Sequence, residues 1–364
     1  MNKTIPEGHP KPLTIDSPQI TKLEQKLRES LELRVQNIPS PISNCPLTLN
    51  NNTEVKIAIL FSGGLDCTIL ARLCNDILPI NEPIDLLNVA FENPRVAAAA
   101  ATKTKTNSNY SVYEECPDRK TGRAAYKELQ RISPDRNWQF IAINIPYTET
   151  ESQRNEIKRL MRPHNTEMDL SIACALYFAS RGWGTTTSPT QSQYSTTARV
   201  LLSGLGADEL FAGYSRHGIA FSRNGFKGLI DEIDLDVSRI SKRNLGRDDR
   251  VISNWGREVR YPYLDEDFMA WVLEVPVWVK CGFGWSKSSY ASSTARDSSS
   301  AERDSSTTPK DDNGEIEPGK IALRLLALKL GMNHVAREKK RAIQFGSRTA
   351  KMEKGRSKGT EILS

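Results

Sequence analysis

Four short, nearly continuous apolar runs, spaced by helix-length segments, constrain this chain more than any other feature. They are VKIAILF (55–61), IDLLNVAF (84–91), WQFIAINI (138–145) and ARVLLS (198–203). A strand that is apolar on both faces needs cover on both faces, which is the situation of a parallel sheet rather than of a half-solvated antiparallel one. Between the runs lie segments of helical character at 67–75, 118–132, 149–162 and 167–181. Strands alternating with helices predict an α/β fold, a doubly wound parallel sheet with helices on both sides.

Outside this alternation, Ser17 and Pro18 open a further predicted helix, where Ile20, Leu23, Leu27, Leu31, Val35 and Ile38 form one apolar stripe. KIALRLLALKLGM (320–332) predicts another. Three polar, Ser/Thr-rich tracts (95–116, 182–197 and 286–315) lower the hydrophobic content to 38% and are expected to be mobile insertions. The expected organisation is an N-terminal extension with a helix and linker (1–53), a main domain (54–282), a disordered insertion (283–315) and a C-terminal helical part of the same domain with a basic tail (316–364).

Several classes are excluded at this level. No apolar run is long enough to span a bilayer, and MNKTIPEGHPKPL lacks the apolar core of a signal peptide, so no membrane association is expected. The six cysteines include no Cys-x-x-Cys pair and read as reduced thiols, which points to the cytoplasm. A net charge of +6 over 364 residues admits an anionic small molecule as partner, and no nucleic acid is expected. The four histidines have neither catalytic nor metal spacing.

The chemistry concentrates where strands end. FSGGLDC (61–67) breaks an apolar run with Ser62, Gly63 and Gly64, and places Asp66 just beyond the bend. Glycines let backbone N–H groups approach an anion, and the helix that follows adds oriented donors. A carboxylate beside phosphate requires a cation between them, which implies Mg²⁺. SGLGADEL (203–210) repeats the design with Ser203, Gly204 and Asp208. No Gly-x-x-x-x-Gly-Lys-[Ser/Thr] or Gly-x-Gly-x-x-Gly pattern is present. Taken alone, either stretch is equally an ordinary strand–turn–helix corner.

Together the two stretches resemble the PP-loop (Ser-Gly-Gly-x-Asp) type of ATP pyrophosphatase, and within it the synthetase domain of asparagine synthetase. GREVRYPYLDEDF (256–268) is similar to that family's segment ending in Arg-x-Pro-Phe-Leu-Asp, and MDLSIACALYFASRG, AGYSRHG and AIQFGSRTAKMEK resemble one branch of it. The resemblance covers about residues 17–282 and 316–355. It implies an AMP-forming ligase that activates a carboxylate, aspartate in the family, with ATP and Mg²⁺ and then forms an amide, as glutamine-hydrolysing asparagine synthases do. It implies that Leu60 and Val89 line an adenosine pocket, and that Ser62, Gly63, Gly64, Cys67, Ser203 and Gly204 hold the nucleotide's phosphates. Asp66 and Asp208 would bind Mg²⁺, and Lys340 (or Lys339) would neutralise developing charge. Glu258, with Arg260, falls in the matching Glu-x-Arg segment as a second catalytic candidate.

The pattern also departs from the family. Only about 54 residues precede the first strand and Asn2 follows Met1, so no glutaminase domain of its own is expected; ammonia would come from a separate source or a glutaminase partner. Cys67 stands where the PP-loop usually has serine. Leu205 stands in Ser-Gly-Leu-Gly where the family has Ser-Gly-Glu-Gly, and a leucine neither accepts a proton from ammonium nor pairs with it. The alternative to a ligase is therefore a nucleotide-binding relative that serves as an interaction or scaffold module.

Overall fold

In the computed structural model, which describes residues 1–39, 54–101, 111–187, 192–285, 316–352 and 359–363, all four apolar runs become strands. The strands are β1 (Ile57–Leu60), β2 (Ile84–Phe91), β3 (Trp138–Ile145), β4 (Trp183–Thr186), β5 (Gln193–Ser195), β6 (Val200–Leu202) and β7 (Glu258–Arg260). They form one seven-stranded sheet in the order β5-β4-β3-β2-β1-β6-β7. β1 is parallel to β2 on one side and to β6 on the other, with Ile57 opposite both Ile84 and Val200. β2–β3 and β6–β7 are also parallel, whereas β3–β4 and β4–β5 are antiparallel.

The interleaved helices are α1 (Pro18–Val35), α2 (Leu65–Ile77), α3 (Pro94–Ala101), α4 (Pro117–Ile132), α5 (Tyr147–Leu160) and α6 (Glu167–Arg181). Successive side chains of a strand point to opposite faces, and β2 shows what each face meets. Leu87, Val89 and Phe91 join a core cluster with α6, where the Phe91 and Phe178 rings meet edge-on at 5.6 Å. On the other face Asn88 is bonded by Arg119 of α4. Both faces are covered, which is why the run is apolar almost throughout. The stripe predicted for α1 is buried from Ile20 to Val35.

The chain divides into two compact units. One holds residues 31–204, 238–262 and 340–364 and contains the sheet; the other holds 1–30, 205–237 and 263–339. In the second unit Leu229, Ile230 and Ile233 pack with Val277 and Cys281. Its helix Ile321–Lys329 is buried from Ile321 to Leu328. That burial includes Arg324, whose guanidinium donates to the carbonyls of Gly319, Ala336 and Glu338. A buried cation is tolerated when its donors are filled in this way.

Two expectations need correction. The sheet is mostly, not wholly, parallel, because the tract 182–197 supplies β4 and β5 instead of a mobile insertion. Its polar residues find partners that composition does not reveal: the hairpin joins the sheet edge, and the Tyr194 hydroxyl donates to buried Asp85 Oδ2 at 3.0 Å. Likewise, in the tract 95–116, Pro94–Ala101 is helical and Glu114 accepts from Arg119 at 2.7 Å. The linker at 40–53, the centres of these tracts (102–110 and 188–191), the Ser-rich segment 286–315 and residues 353–358 of the basic tail lie outside the described residues. The five described cysteines (67, 74, 116, 174 and 281) are free and buried. No helix among the described residues is long and apolar enough to cross a membrane.

Asp85 yields the first testable consequence. Burial pushes its carboxyl up to about 7 from 3.8, against smaller opposing contributions from Thr196, Tyr194 and Arg257. Above pH 4 the unfolded chain loses this proton while the folded chain keeps it, so stability falls as pH rises from about 4 to about 7 and then levels off. Asp85→Asn retains an acceptor for Tyr194 without the buried charge. It is expected to melt higher than the parent at pH 8, by up to about 4 kcal/mol at roughly 1.4 kcal/mol per pKa unit, and to match it near pH 4. Urea titrations at the two pH values provide the check, and equal gaps at both would remove Asp85 as the cause.

Candidate functional site

The chain runs β1, β2, β3 to one side of β1, then returns to place β6 and β7 on the other side. Such a reversal opens a crevice at the carboxyl ends of the two strands flanking it, here β1 and β6. The two Ser-Gly loops leave the sheet at those ends. Ser62, Gly63 and Gly64 follow β1, and Ser203 and Gly204 follow β6.

The first loop is tightly built. Gly63 has φ +79° and lies flat on α4, so that a Cβ there would meet the Gly122 Cα and N at 2.4 Å. Gly64 caps α2 without a side chain, and its N–H donates to Ser62 Oγ at 3.3 Å. Its carbonyl accepts from Thr68 Oγ1 at 2.8 Å and from Cys67 Sγ at 3.3 Å. Burial pushes the Cys67 thiol up, outweighing its contact with Ser62, so Cys67 is a neutral donor turned inward. Asp66 stands in the first turn of α2, where a carboxylate suits the helix dipole. Gly204 leaves it space: a Cβ on Gly204 would sit 3.0 Å from Asp66 Cβ. The structure thus brings together Ser62, Gly63, Gly64, Asp66, Cys67, Ser203 and Gly204.

Leu60 ends β1 and packs on the cluster that contains Val89, which is 6% exposed. Partly buried Lys340 begins a segment whose next residue, Arg341, reaches Thr121 Oγ1 at 3.3 Å and Asp118 Oδ1 at 3.7 Å. Thr121 and Gly122 form the turn on which Gly63 rests, so this basic segment and the first loop share one turn of α4. Glu258 is placed differently. It lies beside Val200 at the start of β6, the end opposite Ser203, and it is 63% exposed and paired with Arg260 at 2.7 Å. The structure does not bring Glu258 to the loops.

Asp208 belongs to the unit without the sheet, in α7 (Ala207–Leu210). Lys320 Nζ lies 2.6 Å from its Oδ1, and Lys320 is 5% exposed. Beside it, Glu209 accepts from the Tyr214 hydroxyl at 2.6 Å. Burial and then the Asp208 charge raise the Glu209 carboxyl, and burial holds Tyr214 as a neutral phenol. In the same unit Asp265, the last residue of Arg-Tyr-Pro-Tyr-Leu-Asp, caps the helix Glu266–Glu274 by accepting from Phe268 N at 2.9 Å.

Sequence reasoning missed Asn88, Arg119, Lys320 and Arg341. A lone Lys opening an apolar helix was the one available signal for Lys320. Asn88 shows in the sequence only as one polar residue within an apolar strand, and Arg119 and Arg341 sit among residues of ordinary surface composition.

The donor chemistry suits Mg²⁺. Asp66 offers hard oxygens, and the space kept open by Gly204 adjoins it. Among the described residues no group of three or more His, Cys, Asp or Glu is assembled. Mg²⁺ needs none, because it is commonly held by one or two carboxylates with phosphate and water completing its shell.

The asparagine synthase family matches residues 191–231 and 231–289. The chain is similar to asparagine synthetase domain-containing protein 1 from Bos taurus, at 38% identity over 92% of this chain and 52% of that protein. It is similar to the Homo sapiens protein of the same name at 40% identity over 85% of this chain and 47% of that protein. A putative glutamine-hydrolysing asparagine synthetase from Methanocaldococcus jannaschii is 43% identical over 22% of this chain and 15% of its own length. The chain thus spans about half the length of the curated relatives named first. With an α/β sheet whose neighbouring strands β1 and β6 end in the two Ser-Gly loops, the chain is similar over most of its own length to the asparagine synthetase domain-containing proteins.

Proposed function

We propose that the sheet is of the PP-loop ATP pyrophosphatase type and that the chain acts as an ATP-dependent, AMP-forming amide ligase. One observation carries this reading: Ser62-Gly63-Gly64 and Ser203-Gly204 leave adjacent parallel strands at the point where strand order reverses, with Asp66 directly against Gly204. Backbone N–H groups at the start of α2 would face a triphosphate, with the Ser62 and Ser203 hydroxyls as further donors. Asp66 and Asp208 are each assigned as a ligand of Mg²⁺, which supplies charge neutralisation when bound. Leu60 and Val89 are assigned to the adenosine. Lys340 would neutralise charge on the α-phosphate side as a small carboxylate, aspartate or another, displaces pyrophosphate. Ammonia, from a separate source or a glutaminase partner, would then attack the acyl carbon and displace AMP to give the amide. Cys67 serves in the loop as a structural donor to Gly64, which explains how a weaker donor than serine is tolerated there.

One observation favours a second reading, a nucleotide-binding module without amide synthesis. Partly buried Leu205 stands beside Gly204 in sequence, where the resemblance calls for a carboxylate.

Calorimetry with ATP, with and without Mg²⁺, tests the nucleotide reading. Asp66→Asn is expected to weaken Mg·ATP binding roughly 100-fold, since a lost charged ligand costs about 2–3 kcal/mol against roughly 1 kcal/mol for a neutral hydrogen bond. AMP binding without metal should hardly change. Binding that is indifferent to Mg²⁺ and to this substitution would mean that the loops are only corners.

A further inference from the structure

Arg119 is fully buried in the first turn of α4, and each nitrogen of its guanidinium donates a hydrogen bond. Nε donates to Asn88 Oδ1 at 2.7 Å, Nη1 to Glu114 Oε1 at 2.7 Å, and Nη2 to Asn144 Oδ1 at 2.8 Å and to the carbonyls of Asn88 and Ile143 at 3.3 Å. An arginine has donors only, so it can hold only the oxygen end of the Asn88 amide. The NH₂ end is thereby turned the other way, where it donates to Phe61 O and to Asp118 O, each at 2.9 Å. Phe61 is the residue immediately before Ser62. Asn88 Nδ2 also lies where a Cβ on Gly122 would come within 2.5 Å, and Gly122 is the surface on which Gly63 rests. A continuous set of contacts therefore runs from Arg119 through Asn88 to both sides of the first loop.

We propose that Arg119, acting through Asn88, is the positioning residue that sets the Ser62-Gly63-Gly64 loop for phosphate. The importance of the loop's setting rests on the nucleotide reading above; the setting itself does not. An array of N–H groups binds an anion well only when its geometry is fixed beforehand, and small displacements are costly. Two polar residues on facing elements, each orienting the other, provide that fixation without occupying the crevice.

A control is built into the same unit. Arg136, 3% exposed, is likewise held, by the carbonyls of Asn75, Leu78, Pro79 and Glu82 and by Asn75 Oδ1. It ties the end of α2 to the start of β2, away from the loop. Arg119→Met, Asn88→Leu, the double variant and Arg136→Met should be compared by amide hydrogen exchange and by titration with Mg·ATP. We expect exchange at Gly63 and Gly64 to rise at least about 10-fold in Arg119→Met and Asn88→Leu, with ATP affinity falling by a similar factor. The double variant should be no worse than the poorer single one, because both remove one coupled contact. Arg136→Met should lose melting temperature while keeping the parent's loop exchange and ATP affinity. Loop exchange unchanged in Arg119→Met, or equally raised in Arg136→Met, overturns the proposal. Should Arg119→Met fail to fold, Asn88→Leu carries the same comparison. A parent chain that binds no Mg·ATP overturns the nucleotide reading, while the exchange data decide the positioning of the loop independently.

Discussion

Replacing Gly63 with alanine is expected to destabilise the protein by on the order of 3 kcal/mol and to remove measurable Mg·ATP binding. Two effects add. A side chain at φ +79° costs about 1–2 kcal/mol in the left-handed region. The new Cβ would also meet backbone atoms of Thr121 and Gly122 at 2.4–2.5 Å, and backbone cannot rotate aside as a side chain can. The loop would have to lift off α4, and its N–H groups would lose their common aim. Gly204→Ala makes an instructive companion, since its Cβ would press only on the Asp66 side chain at 3.0 Å. That variant should fold nearly as well as the parent and bind Mg·ATP more weakly. Chemical denaturation and calorimetry on both variants separate the two effects. A Gly63→Ala protein with the parent's stability and affinity would show that the contact with α4 is not maintained in solution.

The second large effect concerns Leu205. If the chain activates a carboxylate, amide formation still needs a group that takes a proton from ammonium near the acyl carbon, and such help is typically worth about 10²–10⁴-fold. Leu205 supplies only methyl groups. Ammonia-dependent asparagine formation by the parent is therefore expected to be very slow or absent, even where pyrophosphate exchange is measurable. Leu205→Glu is expected to raise amide formation by about 10²-fold while leaving ATP affinity within a few-fold of the parent. Labelled aspartate and asparagine are separated and counted while pyrophosphate is followed in parallel. Brisk asparagine synthesis by the parent would place the proton acceptor elsewhere. Mg·ATP binding with neither pyrophosphate release nor amide formation, in parent and variant alike, would favour the binding-module reading.

Some of this protein was determined by its sequence alone. The runs at 57–60, 84–91, 138–145 and 200–202 read as strands because they are short, rich in β-branched and aromatic residues, and apolar on both faces, as strands covered on both sides are. The Ser-Gly loops could be placed at strand ends for a local reason too, since glycine and a following helix start are legible within seven residues. The tertiary structure decided the rest. Ser/Thr-rich 182–197 reads as solvated until its Tyr194 finds Asp85, 109 residues away. Glu258 reads as a neighbour of the site by motif, yet the parallel register of β7 on β6 sets it at the far end of the strand. Asn88 reads as a polar interruption of a strand, and Arg119 as one charge among many on an amphipathic helix. Only their meeting across 31 residues turns both into a clamp on the loop. Patterns of burial are carried by neighbours in sequence, whereas the partner of a buried polar group is set by which elements the sheet order brings side by side.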